Sequence, residues 1–288
     1  VLAANVGHLG QTTGVDCPNS PYQGSLCSIE QEQIIAASLA DLRPDVVILG
    51  EVFDADLCDE DNVDGDSDLP CTNAPDREPY QQAQRLLGDD YTIACDDIAH
   101  RECTAVLTEL GSMSQCAPGE LCIGHSTTPD HPDECAETGG ISSVSKVDAV
   151  VRDQPLTIIN AHPINASSTA TDPCRLAQYK QIFEDLPGDG ANILGGDFNM
   201  DPYRFPDLFP SAEYWHTVVG EDQPFDAHNA DDPEQPTTTW LDVATLDYVL
   251  SDFGTGTCEV LGVTDGTARL DGSMEMMDHR AVLCTISQ

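Results

Sequence analysis

The stretch Gly195-Gly196-Asp197-Phe198-Asn199 sets a carboxylate and a carboxamide two residues apart, directly after Asn192-Ile193-Leu194. In an extended chain, residues i and i+2 point to the same face. A short buried strand ending here, with two glycines clearing the space, aims Asp197 and Asn199 into one pocket. Asp197 would act there as a base or metal ligand, and Asn199 as a neutral hydrogen-bond donor. Asp-x-Asn is also common in plain turns, so the pair carries weight only in company. That company is a set of polar residues at other strand ends: Asn5, Glu51, His162, Asp247 and the adjacent Asp278-His279.

The pattern predicts elements that deliver each of them. Residues 1–7 read as a strand ending near Asn5. A helix begins at Ser28, with Gln31 three residues on in a capping-box spacing. Its apolar stripe Ile29, Ile34, Ile35, Leu39, Leu42 runs to the break at Arg43-Pro44. Val46-Val47-Ile48-Leu49 is a buried strand that presents Gly50-Glu51. A helix at about 78–87 and strands near 91–95 and 104–109 follow. Residues 146–151 and 156–160 form a hairpin, with Asp153-Gln154-Pro155 in the turn, and its second strand leads to His162. Asp172-Pro173 opens a helix, Asp at the N-cap and Pro at N1, running to about Asp185. Strand 192–196 delivers Asp197, and late strands lie near 237–240, 245–250, 258–264 and 280–286. Strands and helices alternate with hairpins between them, which predicts an α/β or α+β layered fold with a mixed sheet and its site at strand ends.

The bulk numbers narrow the setting. The chain has 288 residues, 40% of them apolar, enough for a real core in one domain spanning 1–288. Asp and Glu number 51 against 11 Lys plus Arg, a formal net charge of −40. Such a surface repels polyanions at low ionic strength. At 1 M salt the Debye length is only about 3 Å and the repulsion is screened. Because the acids are spread along the chain rather than gathered in a tail, salt adaptation (a halophilic protein) is the reading favoured over an acidic, substrate-repelling protein that binds cations. The 12 cysteines include no Cys-x-x-Cys pair, which disfavours zinc ribbons and favours disulfides in an oxidising compartment. Spacing leaves the pairing open; Cys17–Cys27 and Cys58–Cys71 are plausible local clips. Residues 111–140, rich in Cys, Pro and Gly, read as a disulfide-stapled insertion. No apolar run approaches the roughly 18 residues of a membrane span. With residues 1–5 already strand-like, the expectation is a mature secreted protein whose leader has been removed.

Taken together, Ala4-Asn5-Val6-Gly7, Leu49-Gly50-Glu51-Val52, Asn160-Ala161-His162-Pro163, Gly195-Gly196-Asp197-Phe198-Asn199, Leu246-Asp247-Tyr248-Val249 and Met277-Asp278-His279-Arg280-Ala281-Val282 resemble the endonuclease/exonuclease/phosphatase family, which includes deoxyribonuclease I. Each motif alone is ordinary; the ordered set is not. The resemblance implies a four-layer sandwich, two mixed β-sheets packed face to face with helices outside. It implies Mg²⁺-dependent hydrolysis of phosphate esters, with Mn²⁺ or Ca²⁺ able to substitute or add. One departure is Gly50, where the family usually has Gln.

The residue types suit that chemistry. A phosphodiester is anionic and gains charge on attack, and Mg²⁺ takes oxygen ligands. Asn5, Glu51 and Asp278 can supply them. Asp197 would orient or deprotonate the attacking water, Asn199 would donate to a phosphate oxygen, and His162 and His279 would clamp the phosphate from two sides. Asp247 would hold the His279 ring in one tautomer. Plainer readings stand beside these: a core histidine for His162, a strand-start cap for Asp278-His279, backbone satisfaction for Asn5, a pair with Arg280 for Asp247. The loop 59–68 invites a calcium reading, but with Gly65 at the sixth position of an EF-hand frame, Cys71 falls at the twelfth, where Glu is needed. A solvated acidic loop fits better.

The expected function is a secreted, salt-adapted, Mg²⁺-dependent nuclease on DNA, and on RNA as a further substrate, acting as a monomer. Arg77, Arg101, Arg152, Arg175, Arg204 and Arg280 are the candidates to line a groove for it. The alternative is a phosphodiesterase or phosphatase on a small-molecule or lipid ester, as in sphingomyelinases. That reading wants an exposed aromatic hairpin, or a dense basic pocket for inositol phosphates, and the sequence shows neither. A third reading, a catalytically dead binding module, is disfavoured by the full set of acidic and histidine positions.

Overall fold

The structure, a computed structural model, describes residues 1–6, 29–52, 81–96, 101–136, 143–165, 168–204, 209–229, 238–239, 244–261 and 279–287. In chain order these form β1 (Leu2–Asn5), α1 (Ile29–Leu42), β2 (Val46–Gly50), α2 (Gln82–Leu87), β3 (Tyr91–Cys95), β4 (Cys103–Leu107), β5 (Gly111–Met113), β6 (Leu121–Ile123), β7 (Ser143–Val151), β8 (Gln154–His162), α3 (Asp172–Lys180), β9 (Ala191–Asp197), α4 (Pro210–Val218), β10 (Asp226–Ala227), β11 (Asp247–Ser251), β12 (Thr255–Val260) and β13 (Val282–Ser287).

The strands make two mixed sheets, one ordered β12-β13-β1-β2-β4-β3-β6 and the other β10-β11-β9-β8-β7-β5. Strand parity explains the layering. Leu2 and Ala4 pack with Ile35 and Leu39 of α1 and Leu86 of α2, whereas Ala3 between them packs with Ile158, Ile193 and Val249 of the other sheet. A strand buried on both faces reads as a continuous apolar run, and β1 and β2 do so. On the far side, Leu194, Tyr248 and Leu250 face outward onto Tyr179, Phe183 and Trp215 of the α3–α4 layer. The result is helix, sheet, sheet, helix, the four-layer arrangement expected.

The register brings strand ends together. Asn5 pairs with Gly50 on parallel β1 and β2, and Leu49 with Cys103 on antiparallel β4. In the second sheet Asn160 pairs with Gly195 on parallel β8 and β9, and Asp197 with Asp247 on antiparallel β11. One end of the sandwich therefore collects the polar residues.

Several local expectations change. The β7–β8 hairpin turns at Arg152-Asp153, both with positive φ (49° and 64°), so Gln154 and Pro155 already belong to β8. Two successive residues at positive φ form the tight turn whose twist matches paired strands. Asp172 is not the N-cap of α3; Thr171 holds that place. Asp172 is fully buried and accepts from Arg175 Nη2 at 2.9 Å, from Ser211 N at 3.1 Å and from Ser211 Oγ. The cysteine-rich stretch supplies edge strands to both sheets: β5 pairs with β7, and β6 with β3. Among the described cysteines the disulfides are Cys95–Cys103, Cys116–Cys122, Cys135–Cys174 and Cys258–Cys284. Cys17, Cys27, Cys58, Cys71 and the acidic loop 59–68 lie outside the described residues. The helix α4 was not legible in the sequence, because its single buried stripe, Ala212 and Trp215, is too short for a periodic signal.

Candidate active site

The same parity that layers the core also aims the site. On β8 the inter-sheet face runs Ile158, Asn160, His162; on β9 it runs Ile193, Gly195, Asp197; on β11 it runs Val249, Asp247. On β1 it runs Ala3 then Asn5. Where the apolar layer ends, these faces turn polar, all at one end.

Asp197 is at the centre. It is 4% exposed and its Oδ1 accepts from the Asn199 backbone N–H at 2.7 Å. Its Oδ2 accepts from Asn5 Nδ2 at 3.3 Å and lies 3.7 Å from His279 Nε2 and 3.9 Å from His162 Nε2. Asn5 Nδ2 also donates to Glu51 Oε1 at 3.1 Å. Gly196 makes this geometry possible: at φ 127°, a Cβ there would fall on the Ala161 carbonyl. Only glycine lets β8 and β9 approach closely enough for His162 and Asp197 to meet.

Each histidine is backed by a buried carboxylate. His279 Nδ1 meets Asp247 Oδ2 at 2.8 Å, the pairing expected from sequence. His162 Nδ1 meets Glu102 Oε1 at 2.6 Å, and Glu102 escaped the sequence reading. Glu102 directly precedes β4, which runs antiparallel to β2, so its side chain arrives at the end where β2 delivers Glu51. Strand direction is a tertiary fact, and without it Glu102 is one acid among 51. Gly50 fits this arrangement, since a Cβ there would stand 3.1 Å from Glu102 Oε2.

Burial pushes the Glu102 carboxyl up, against the opposing pull of His162. Burial alone would lower the His162 ring, but the charges of Glu102, Glu51 and Asp197 outweigh it and push the ring up to about 10. The pair therefore keeps one proton between its members through neutral pH. In either placement of that proton, Nε2 remains an N–H donor facing Asp197. Burial likewise raises Asp197, with His279 opposing it.

Backbone strain sits at two of these positions. Glu51 has φ 57° and Asn199 has φ 53°. Positive φ at non-glycine residues clusters where surrounding contacts over-determine the conformation. Asn199 is half-buried; its Nδ2 donates to Pro163 O at 2.9 Å, and its own carbonyl accepts from Arg175 Nη1 at 2.9 Å. Asp278 lies outside the described residues, as does His8.

One ligand atom each from Glu51, His162 and Asp197 lies within 4.8 Å of the others. The donor set fits a hard divalent cation: buried carboxylates dominate, and His162, holding its Nε2 proton, acts as a donor beside them rather than as a ligand. Glu51 and the Asn5 carboxamide would hold such an ion, with Asp197 beside it.

The arginines divide. Arg101 Nη2 stands 3.8 Å from Glu51 Oε2, Arg204 pairs with Asp201 at 3.4 Å with its side chain 38% exposed, and Arg280 follows His279. Of these, Arg101 reaches the site, whereas the Arg280 side chain donates to Thr238 O at 3.2 Å. Arg175 does not reach it; it is buried against Asp172. Arg152 sits at the hairpin turn, roughly 26 Å along β8 from His162, and pairs there with Asp45. Arg77 is outside the described residues.

No family model matches the chain, and no curated protein does. Solved structures do. D. rerio TDP2 complexed with a single strand DNA product is 13% identical with a TM-score of 0.61, covering 100% of this chain and 98% of that one. An endonuclease/exonuclease/phosphatase family protein from Leptotrichia buccalis is 14% identical with a TM-score of 0.57 over 100% and 98%. The human Nocturnin catalytic domain with bound sulfate is 12% identical, TM-score 0.53, over 99% and 93%. The chain has the endonuclease/exonuclease/phosphatase fold. None of the described helices is long and apolar enough to cross a membrane.

Proposed function

We propose that this protein is a Mg²⁺-dependent phosphodiesterase that hydrolyses nucleic acid, with DNA as the preferred substrate. The observation that carries the reading is the pair of imidazole–carboxylate dyads, His162–Glu102 and His279–Asp247, whose Nε2 atoms stand 3.9 and 3.7 Å from the same Asp197 oxygen. Two fixed donors converging on a carboxylate suit a tetrahedral anion attacked by water. Asp197 orients the water and takes its proton, a role suited to a carboxylate raised by burial. His162 and His279 donate through Nε2 to the non-bridging oxygens, where charge develops. Asn199, held by Pro163 and Arg175, supports a phosphate oxygen. Glu51 and Asn5, with Asp278 as the expected third ligand, would hold the divalent ion, which would supply charge neutralisation at the phosphate.

Arg101 beside Glu51 favours a polyanion over a neutral ester, and the DNA product bound by the TDP2 neighbour agrees with this. The four disulfides among the described residues and the spread of acid along the chain support an extracellular, high-salt setting. The test is purified protein with supercoiled plasmid, RNA, sphingomyelin and bis(p-nitrophenyl) phosphate, each with Mg²⁺ or EDTA, beside Asp197→Ala. Plasmid nicking that needs Mg²⁺ and vanishes in the variant supports the reading. Sphingomyelin turnover without plasmid nicking sinks it.

A further inference from the structure

Asn160 is fully buried on β8, two residues before His162 and on the same inter-sheet face. Ile158 precedes it on that face inside the apolar layer between the sheets, yet Asn160 carries a carboxamide. Nδ2 donates to two backbone carbonyls of the opposite sheet, Leu49 O at 3.0 Å and Cys103 O at 3.3 Å. Leu49 and Cys103 are register partners on β2 and β4. Glu51 follows Leu49 by two residues, and Glu102 immediately precedes Cys103. One amide group thus joins the three strands that carry Glu51, Glu102 and His162.

Nothing in the backbone could do this. The β2–β4 pair and β8 belong to different sheets, and stacked sheets stand about 10 Å apart, beyond ladder hydrogen bonding. Apolar contacts such as Ile48 with Ile158 hold the layers together without fixing their offset, because burial is not directional. A hydrogen bond to a backbone carbonyl has direction. Stability does not account for the residue either: Asn160 Oδ1 is buried with no hydrogen-bond partner in the structure. A half-satisfied buried amide costs free energy that an apolar residue of the same shape would not.

We propose that Asn160 is a positioning residue for the site. By holding the ends of β2 and β4 against β8, it sets the spacing of His162 from Glu102, 2.6 Å, and from Glu51, 3.6 Å. The kinetic side of this inference rests on the phosphodiesterase reading above; the geometric side does not.

The test uses Asn160→Leu, similar in volume and unable to hydrogen-bond. With bis(p-nitrophenyl) phosphate and Mg²⁺, kcat falls about tenfold to hundredfold while KM stays within about twofold, the signature of lost alignment. The melting temperature stays within a few degrees of the parent. In metal-free protein labelled with ¹⁵N in the histidine rings, the His162 correlation moves, whereas that of His279, which Asn160 does not touch, keeps its place. Asn160→Ser, a shorter donor, serves if the leucine variant does not fold; its kcat falls severalfold below the parent's and its His162 correlation moves. A variant with parental kcat and an unmoved His162 correlation overturns the proposal. So does a kcat loss that matches the fraction unfolded, which would make Asn160 a purely structural residue. If the parent cleaves no phosphodiester, the functional reading fails, and the ring correlations alone decide Asn160.

Discussion

Glu102→Gln separates the charge of the hidden dyad from its shape. The parental His162 is pushed up to about 10 against an ordinary 6.5. That gap corresponds to roughly 5 kcal/mol of preference for the protonated ring. Glu102 is the largest of the charges that raise it. Removing that charge leaves burial pulling the ring down and Glu51 and Asp197 pushing it up, so the ring settles near its ordinary value. At pH 7.5 only about one ring in ten then carries the second proton, against nearly all in the parent. If the protonated ring is the donor that clamps the phosphate, kcat/KM of the variant is about tenfold below the parent at pH 7.5, about a hundredfold below at pH 8.5, and close to it at pH 5.5. The assays are the pH titration of the His162 ring in metal-free protein, followed by ¹⁵N correlation, and kcat/KM on bis(p-nitrophenyl) phosphate from pH 5.5 to 9 with Mg²⁺. The linkage has the matching sign. A raised folded-state value adds stability that is full below about 6.5 and fades as pH climbs toward about 10, so the parental apoprotein loses melting temperature over that window more steeply than Glu102→Gln. A parent-to-variant ratio that is flat across the pH range refutes the reasoning: Glu102 would then act by shape, or His162 would not be the clamp.

Other outcomes follow from the same geometry. Mg²⁺ at about a hundred times its Kd should stabilise the fold by about 2.7 kcal/mol, read as a rise of several degrees in melting temperature that EDTA reverses; a melt indifferent to Mg²⁺, Mn²⁺ and Ca²⁺ contradicts the ion site at Glu51 and Asn5. Arg175→Ala strands Asp172 in the interior and should cost about 3–5 kcal/mol in urea unfolding; an unchanged midpoint with weakened DNA binding would return Arg175 to the groove. Plasmid cleavage should persist or rise from low to molar NaCl, because screening of the −40 net charge offsets the usual loss of phosphate contacts; a steep fall at modest salt, as for a basic nuclease, rejects salt adaptation.

Much of the site was readable before the fold was seen. Asn5, Glu51, His162, Asp197 and Asp247 each close or open a strand, and a buried strand announces itself as an apolar run that stops at a polar residue. The two-residue period then fixes which side chains share a face, so the meeting of Asp197 with His162 and Asn5 follows once their strands adjoin. Local chemistry misled where a tertiary partner outweighed it. Asp172 has the sequence signature of a helix cap, but Arg175 and Ser211 hold its carboxylate in the interior. Likewise Asp153-Gln154-Pro155 looks like a turn, while the long pairing of β7 with β8 moves the turn to Arg152-Asp153.

The sequence by itself determined the apolar layers, the order of the strand ends and the acidic, cysteine-rich character of the chain, because these depend on residue type and short-range period alone. Only the tertiary structure decided that Glu102 backs His162, that Arg175 is an interior strut, and that Asn160 spans the two sheets. The first and last depend on strand direction and sheet offset, set by segments 57 to 111 residues apart, and the Arg175 strut on Asn199 and Ser211, 24 and 36 residues away, about which no local pattern carries information.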